Sequence, residues 1–194
     1  MVDLSASGFP AKATRQPDFT YIEQGFRWIR ETIMLIYAHH QHPLPMVALI
    51  FMYIETLGKP LVRERGEKEK TIPKVSLFVQ KYLPGLWESL RDRGDRDSLL
   101  GDVYRNGLVH QLFMKSGHGI HEKDERYVIT GLPEAPLSIN IDRLVPEFLE
   151  GLNKYYQRLK KDAQFLQTFN ACMLESTRPP QGQGSQSDPP PRKT

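Results

Sequence analysis

Cysteine is nearly absent. Cys172 stands alone in 194 residues, so the chain holds neither an internal disulfide nor a thiolate zinc cage. A reducing compartment is the corresponding expectation. Long hydrophobic runs are missing as well: the longest, Met46 to Ile54, falls far below the roughly 20 residues that cross a bilayer, and the N-terminus has no apolar secretory region. These features predict a soluble, cytoplasmic protein with no membrane partner. Nor does one sign of charge dominate. The 26 basic residues against 23 acidic ones leave a net charge of +3, too small an excess to imply a nucleic-acid groove by itself.

What is present suits one packed domain with appendages. A composition of 39% hydrophobic and 25% charged residues excludes a wholly disordered chain. Residues 177–194 hold five of the 15 prolines and no aliphatic or aromatic side chain, which predicts a disordered tail. Residues 1–18 are mixed in pattern and read as a flexible lead-in, although Leu4 and Phe9 could dock on a finished core. This leaves 19–176 for the fold.

Helical spacing dominates that stretch. Ile22, Phe26, Ile29, Ile33 and Ile36 recur in steps of three and four, predicting an amphipathic helix from Phe19 to about His39. After Pro43 and Pro45, Val47, Ile50, Phe51, Ile54 and Leu57 repeat the spacing and predict a central helix that stops at Gly58. Lys59 to Lys70 lacks an apolar period and reads as an exposed connection or frayed helix end. Val75, Phe78, Val79 and Tyr82 predict a short helix ended by Pro84, with a further turn over Leu86 to Leu90. Gly117 to Ile120 and Tyr127 to Thr130 flank a polar turn and predict a small β-hairpin. Asn140 is placed to cap a long helix reaching about Phe169. The fold class is therefore all-α: a bundle of four to five helices with a minor β-hairpin insertion and disordered termini.

The most informative segment is Asp102 to His110. Asn106-Gly107 fits a type I′ hairpin turn. Leu100, Tyr104, Leu108 and Leu112, four apart with Ser98 as a possible N-cap, fit a helix instead. As a helix, Arg105 and His110 would flank a polar face that also carries Asp102 and Asn106, with the leucine stripe turned the other way.

Arg105-Asn106-Gly107-Leu108-Val109-His110 resembles the motif of the HEPN superfamily, small all-helical domains with Arg, a polar residue immediately after it, and His four to six residues further on. The resemblance covers residues 19–169 and favours helix over turn at Asn106-Gly107. It implies a metal-independent endoribonuclease without cofactors, working as a homodimer in which the two motif helices face each other and share one site. In that arrangement Arg105 and His110 are catalytic and Asn106 orients the histidine or the phosphate. One difference concerns the toxin branch, where a Tyr that a partner nucleotidyltransferase modifies lies two residues after the motif His. Here that position is Leu112, so control by tyrosine modification is not expected.

The chemistry suits the residue types. Imidazole shuttles protons near neutral pH, and a guanidinium offers phosphate a planar fork of donors. Lys115, His118 and His121 follow the motif and could line the same cleft as binding residues. Arginine near Asp102 also fits a surface ion pair, and histidine among aliphatics fits a hydrogen-bonded packing residue. The same fold could therefore serve as a non-catalytic binding module for a nucleotide, an RNA or a protein. His39, His40 and His42 point apart on any regular backbone and lack an acidic or thiolate companion, so no metal site is expected there. Lys154, Arg158, Lys160 and Lys161, with Tyr155 and Tyr156, could meet nucleic acid or form a solvated helix face.

Overall fold

Helix α1 (Phe19–Ala38) turns Ile22, Phe26 and Ile33 inward, as the three-and-four spacing requires, and leaves its other side to solvent. The computed structural model describes residues 19–39, 43–67, 70–91, 96–100, 119–121, 126, 128–130 and 137–176. Within them the protein is an all-α helical bundle with a small three-stranded sheet at one end. The terminal segments 1–18 and 177–194, expected to be disordered, lie outside the described residues.

The central helix, α2 (Pro43–Glu64), starts with both prolines in its first turn, where a missing N–H removes no helical hydrogen bond. It does not stop at Gly58. It runs through Lys59 and Pro60 for six more residues, because Leu61 and Val62 extend the buried face beyond the glycine. Among the described helices α2 alone is long and apolar enough to cross a bilayer by length and composition. The bundle accounts for that composition: 61% of its most apolar window is buried, including Ile50, Phe51 and Ile54.

Helix α3 (Thr71–Tyr82) lies close along α2. Gly58 touches the α3 backbone, and Glu55 receives a hydrogen bond from the Thr71 hydroxyl at 3.3 Å and an ion pair from Lys74 at 3.6 Å. Helix α4 (Pro84–Ser89) supplies the extra turn expected after Pro84. A short turn, α5 (Arg96–Ser98), begins before Ser98, so Ser98 does not stand ahead of the helical backbone as an N-cap.

The sheet differs from the expected hairpin. Strands β1 (Gly119–His121) and β2 (Val128–Thr130) form where the sequence placed them, but they do not pair with each other. Strand β3 (Leu137–Asn140) lies between them, parallel to β1 and antiparallel to β2. A parallel pair needs a long connection, which residues 122–136 supply. Ile139 of this central strand is fully buried.

Asn140 ends β3 and caps α6 (Ile141–Lys161), its side-chain oxygen accepting the Asp142 N–H at 2.9 Å. Its amide also donates to the Arg126 carbonyl at 3.2 Å, so one buried side chain joins strand, loop and helix. The Tyr37 hydroxyl donates to Asp142 at 2.9 Å and ties the end of α1 to the start of α6. The expected single helix to Phe169 is two. Asp162 adopts an extended conformation, and its carboxylate accepts the Phe165 N–H at 2.9 Å, starting α7 (Ala163–Ser176).

An aromatic cluster around Tyr155 fills the centre of the bundle. Phe26, Phe78, Tyr82, Phe165 and Phe169 place their ring centroids within 6.3 Å of it.

Candidate functional site

Arg105, Asn106 and His110, with Lys115 and His118, fall in 101–118 and lie outside the described residues. His121 is the last residue of β1, where its backbone stands in register with Asn140. The structure does fix both ends of the motif segment. On the entering side Leu100, the first residue of the four-spaced stripe, is fully buried, and Leu99 packs against the core. Beside them, the Arg96 guanidinium lies 4.7 Å from the centre of the Trp87 ring. On the leaving side Ile120 of β1 packs on the core. The chain carrying the motif is thus anchored before and after it.

Of the histidine cluster, His39 follows the end of α1 and is exposed, while His40 and His42 lie outside the described residues. Among the described residues no group of three or more His, Cys, Asp or Glu side chains is placed to hold a metal ion.

The basic and aromatic residues of α6 do not form one phosphate-facing surface. Tyr155 is fully buried and offers no ring to a base. Arg158 reaches back to Glu64 of α2, meets Asp162 at 3.3 Å and lies 3.7 Å from the Phe165 ring centre. Burial by itself would lower the pKa of that guanidinium, but the hydrogen bond to Glu64 and the charge of that carboxylate help to outweigh it, and the net shift is upward. Lys154 pairs with Glu150 at 2.6 Å, and Lys160 sits 4.9 Å from the Tyr156 ring centre. The spacing placed Tyr155 on the core stripe. That Arg158 folds inward depends on Glu64, ninety-four positions earlier in the chain, which no local pattern reports.

Sequence reasoning also missed a cleft of about 410 Å³ between α1 and α6. Phe26, Leu149, Leu152 and Tyr156 line it on the apolar side, and Arg27 and Arg30 stand on the polar side. No periodicity announces such a cleft, because each lining helix contributes its residues from the edge of its apolar stripe. Compared with known proteins, the chain matches no protein-family model, no curated protein and no solved structure.

Proposed function

We propose that this protein is a metal-independent endoribonuclease of the HEPN type, acting as a homodimer with a composite site of Arg105 and His110 from both chains. The observation that carries this reading is the run Arg105-Asn106-Gly107-Leu108-Val109-His110 in an all-α bundle. Leu100 and Ile120 support it, because their packing on the core returns the chain to the bundle on either side of the stretch that carries the motif.

In the proposed reaction one His110 takes the proton from a ribose 2′-hydroxyl. The 2′-oxygen forms a bond to the adjacent phosphorus as the bond to the 5′-oxygen breaks. His110 of the partner subunit protonates that leaving oxygen. The two Arg105 guanidinium groups hold the phosphate oxygens and offset the charge that develops on them. Asn106, four residues before His110 and therefore its neighbour on a helix, orients the imidazole or the phosphate. The products are a 2′,3′-cyclic phosphate and a 5′-hydroxyl.

The test is incubation of the purified full chain with mixed RNA in chelator, beside His110→Ala and Arg105→Ala. Cyclic-phosphate ends formed by the native chain and lost in both variants are the expected result. Cleavage that survives either substitution overturns the assignment. The weak net charge of +3 favours a second reading, a binding module that holds RNA, a nucleotide or a protein without cutting. Retention of RNA on a filter with no new ends would select it.

A further inference from the structure

The solvent side of α1 carries a second apolar stripe that nothing in the described fold covers. Tyr21 is 72% exposed, Trp28 61% and Leu35 62%. They stand seven apart, so Tyr21 and Leu35 each lie within about 20° of Trp28 around the helix, one on either side of it. Together they present apolar surface on the order of 400 Å², in the range of the largest patch on a typical monomer, which is often a functional one.

Gly25 lies between Tyr21 and Trp28 on this side. Glycine weakens a helix interior, and the other two glycines inside long described helices have a packing reason to be there. A Cβ at Gly58 would stand 2.0 Å from the Lys74 carbonyl oxygen, and one at Gly151 would stand 2.6 Å from that of Tyr82. Each marks a point where another part of the backbone presses against the helix. At Gly25 a Cβ would meet nothing within 4 Å. Its counterpart lies outside the chain's own described fold.

The geometry points to a second copy of this chain as that counterpart, paired through α1 in antiparallel fashion about a two-fold axis at Trp28. The stripe is symmetric about that residue. An antiparallel mate sets Trp28 on Trp28 of the partner subunit and Tyr21 on the partner's Leu35. One flank then brings Glu31 within about 3 Å, measured along the axis, of Arg27 of the partner subunit, and the symmetric contact forms likewise. On the other flank Gly25 and the partner's Thr32 stand within about 1.5 Å in axial height, so two small residues let the helices approach. A parallel mate would instead set the charged flank against Gly25 and Thr32.

Charge favours a copy over a foreign partner. Of the charged residues beside the stripe, the exposed acid Glu31 balances the exposed base Arg27, leaving a face that attracts neither sign but complements itself. The stripe covers about half of the roughly 800 Å² per partner of a standard interface, and the flanking Gln24, Glu31 and Thr32, with the long side chain of Arg27, supply more.

The inference uses no motif residue and stands apart from the proposed catalysis. Sedimentation velocity of the full chain from about 1 to 100 µM should show dimers, with Trp28 fluorescence shifting to shorter wavelength as they form. Trp28→Glu should raise the dissociation constant at least tenfold with helical circular dichroism unchanged. Arg27→Glu should weaken pairing, and Arg27→Glu with Glu31→Arg should restore it. Gly25→Leu should weaken pairing while raising the melting temperature of the dilute chain. A monomer at every concentration, or a dimer indifferent to Trp28→Glu and Gly25→Leu, overturns the inference even if RNA is cut. Dimers lost on Trp28→Glu from a chain that never cuts RNA uphold it and reject the catalytic proposal alone.

Discussion

Gly58 of α2 and Lys74 of α3 meet backbone to backbone, so closely that a Cβ at residue 58 would stand 2.0 Å from the Lys74 carbonyl oxygen. The neighbouring Glu55, Thr71 and Lys74 contacts fix the two helices at that separation. Alanine normally stabilises a helix interior relative to glycine by about 1 kcal/mol. Here the added methyl group must push two packed helices apart. Gly58→Ala is expected to lower the unfolding free energy by about 2 to 3 kcal/mol, measured by urea titration. A gain in stability would show that α2 and α3 lie further apart than described.

Gly58 also marks where local reading of the sequence stops working. A glycine followed by Lys59 and Pro60 has the chemistry of a helix end, and nothing nearby says otherwise. Burial of Leu61 and Val62 carries α2 onward, and that burial depends on helices elsewhere in the chain. Elements governed by their own periodicity were legible: α1, α3, the start of α6 and the Asn140 cap all stand where the spacing placed them. Strand β3 was not legible, since four residues carry no periodic signal and its partners lie earlier in the chain. The candidate site is read from the sequence as residue types at a spacing, and Arg105, Asn106 and His110 lie outside the described residues. The inward turn of Arg158 and the cleft between α1 and α6 were not legible, because both arise where separate elements meet.

Tyr155 is fully buried, and its hydroxyl has no hydrogen-bond partner among the described residues. An unpartnered buried hydroxyl is destabilising, whereas the ring packs against five others. Tyr155→Phe is therefore expected to raise the unfolding free energy by about 1 kcal/mol. Burial also pushes the phenol well above its ordinary value of 10.0, so the folded state keeps its proton at a pH where the unfolded chain loses it. The corresponding stability is complete below pH 10.0 and declines as pH rises beyond it. Denaturation of the phenylalanine variant should show a shallower decline above that pH than the native chain.

Asp162 joins α6 to α7 and should make stability sensitive to acid. The Phe165 N–H holds its carboxyl below the ordinary value of 3.8, with Arg158 adding to the effect against partial desolvation. A carboxyl depressed in this way stabilises the fold above its unfolded value, and the contribution is lost as pH falls through the folded one. Asp162→Asn keeps an N-cap oxygen but does not titrate. It is expected to melt within a few degrees of the native chain at neutral pH and to lose less stability below pH 3.8. Thermal scans at neutral and acidic pH compare the two. Equal acid sensitivity would place the titrating group elsewhere, with Glu175, lowered by its hydrogen bond from Arg63, the next carboxyl to replace.

Arg105→Lys separates phosphate recognition from charge alone. Lysine keeps the positive charge but replaces a planar fork of donors with a single flexible ammonium group. Under the proposed mechanism the fork matters most when charge spreads over the phosphate oxygens in the transition state. RNA binding should then change by no more than about twofold, while the cleavage rate falls by about ten- to a hundredfold. An arginine serving only as a surface partner of Asp102 would accept lysine with neither quantity moving. Single-turnover cleavage and filter binding on the same preparations read the two quantities separately, and an unchanged cleavage rate would remove Arg105 from the catalytic site.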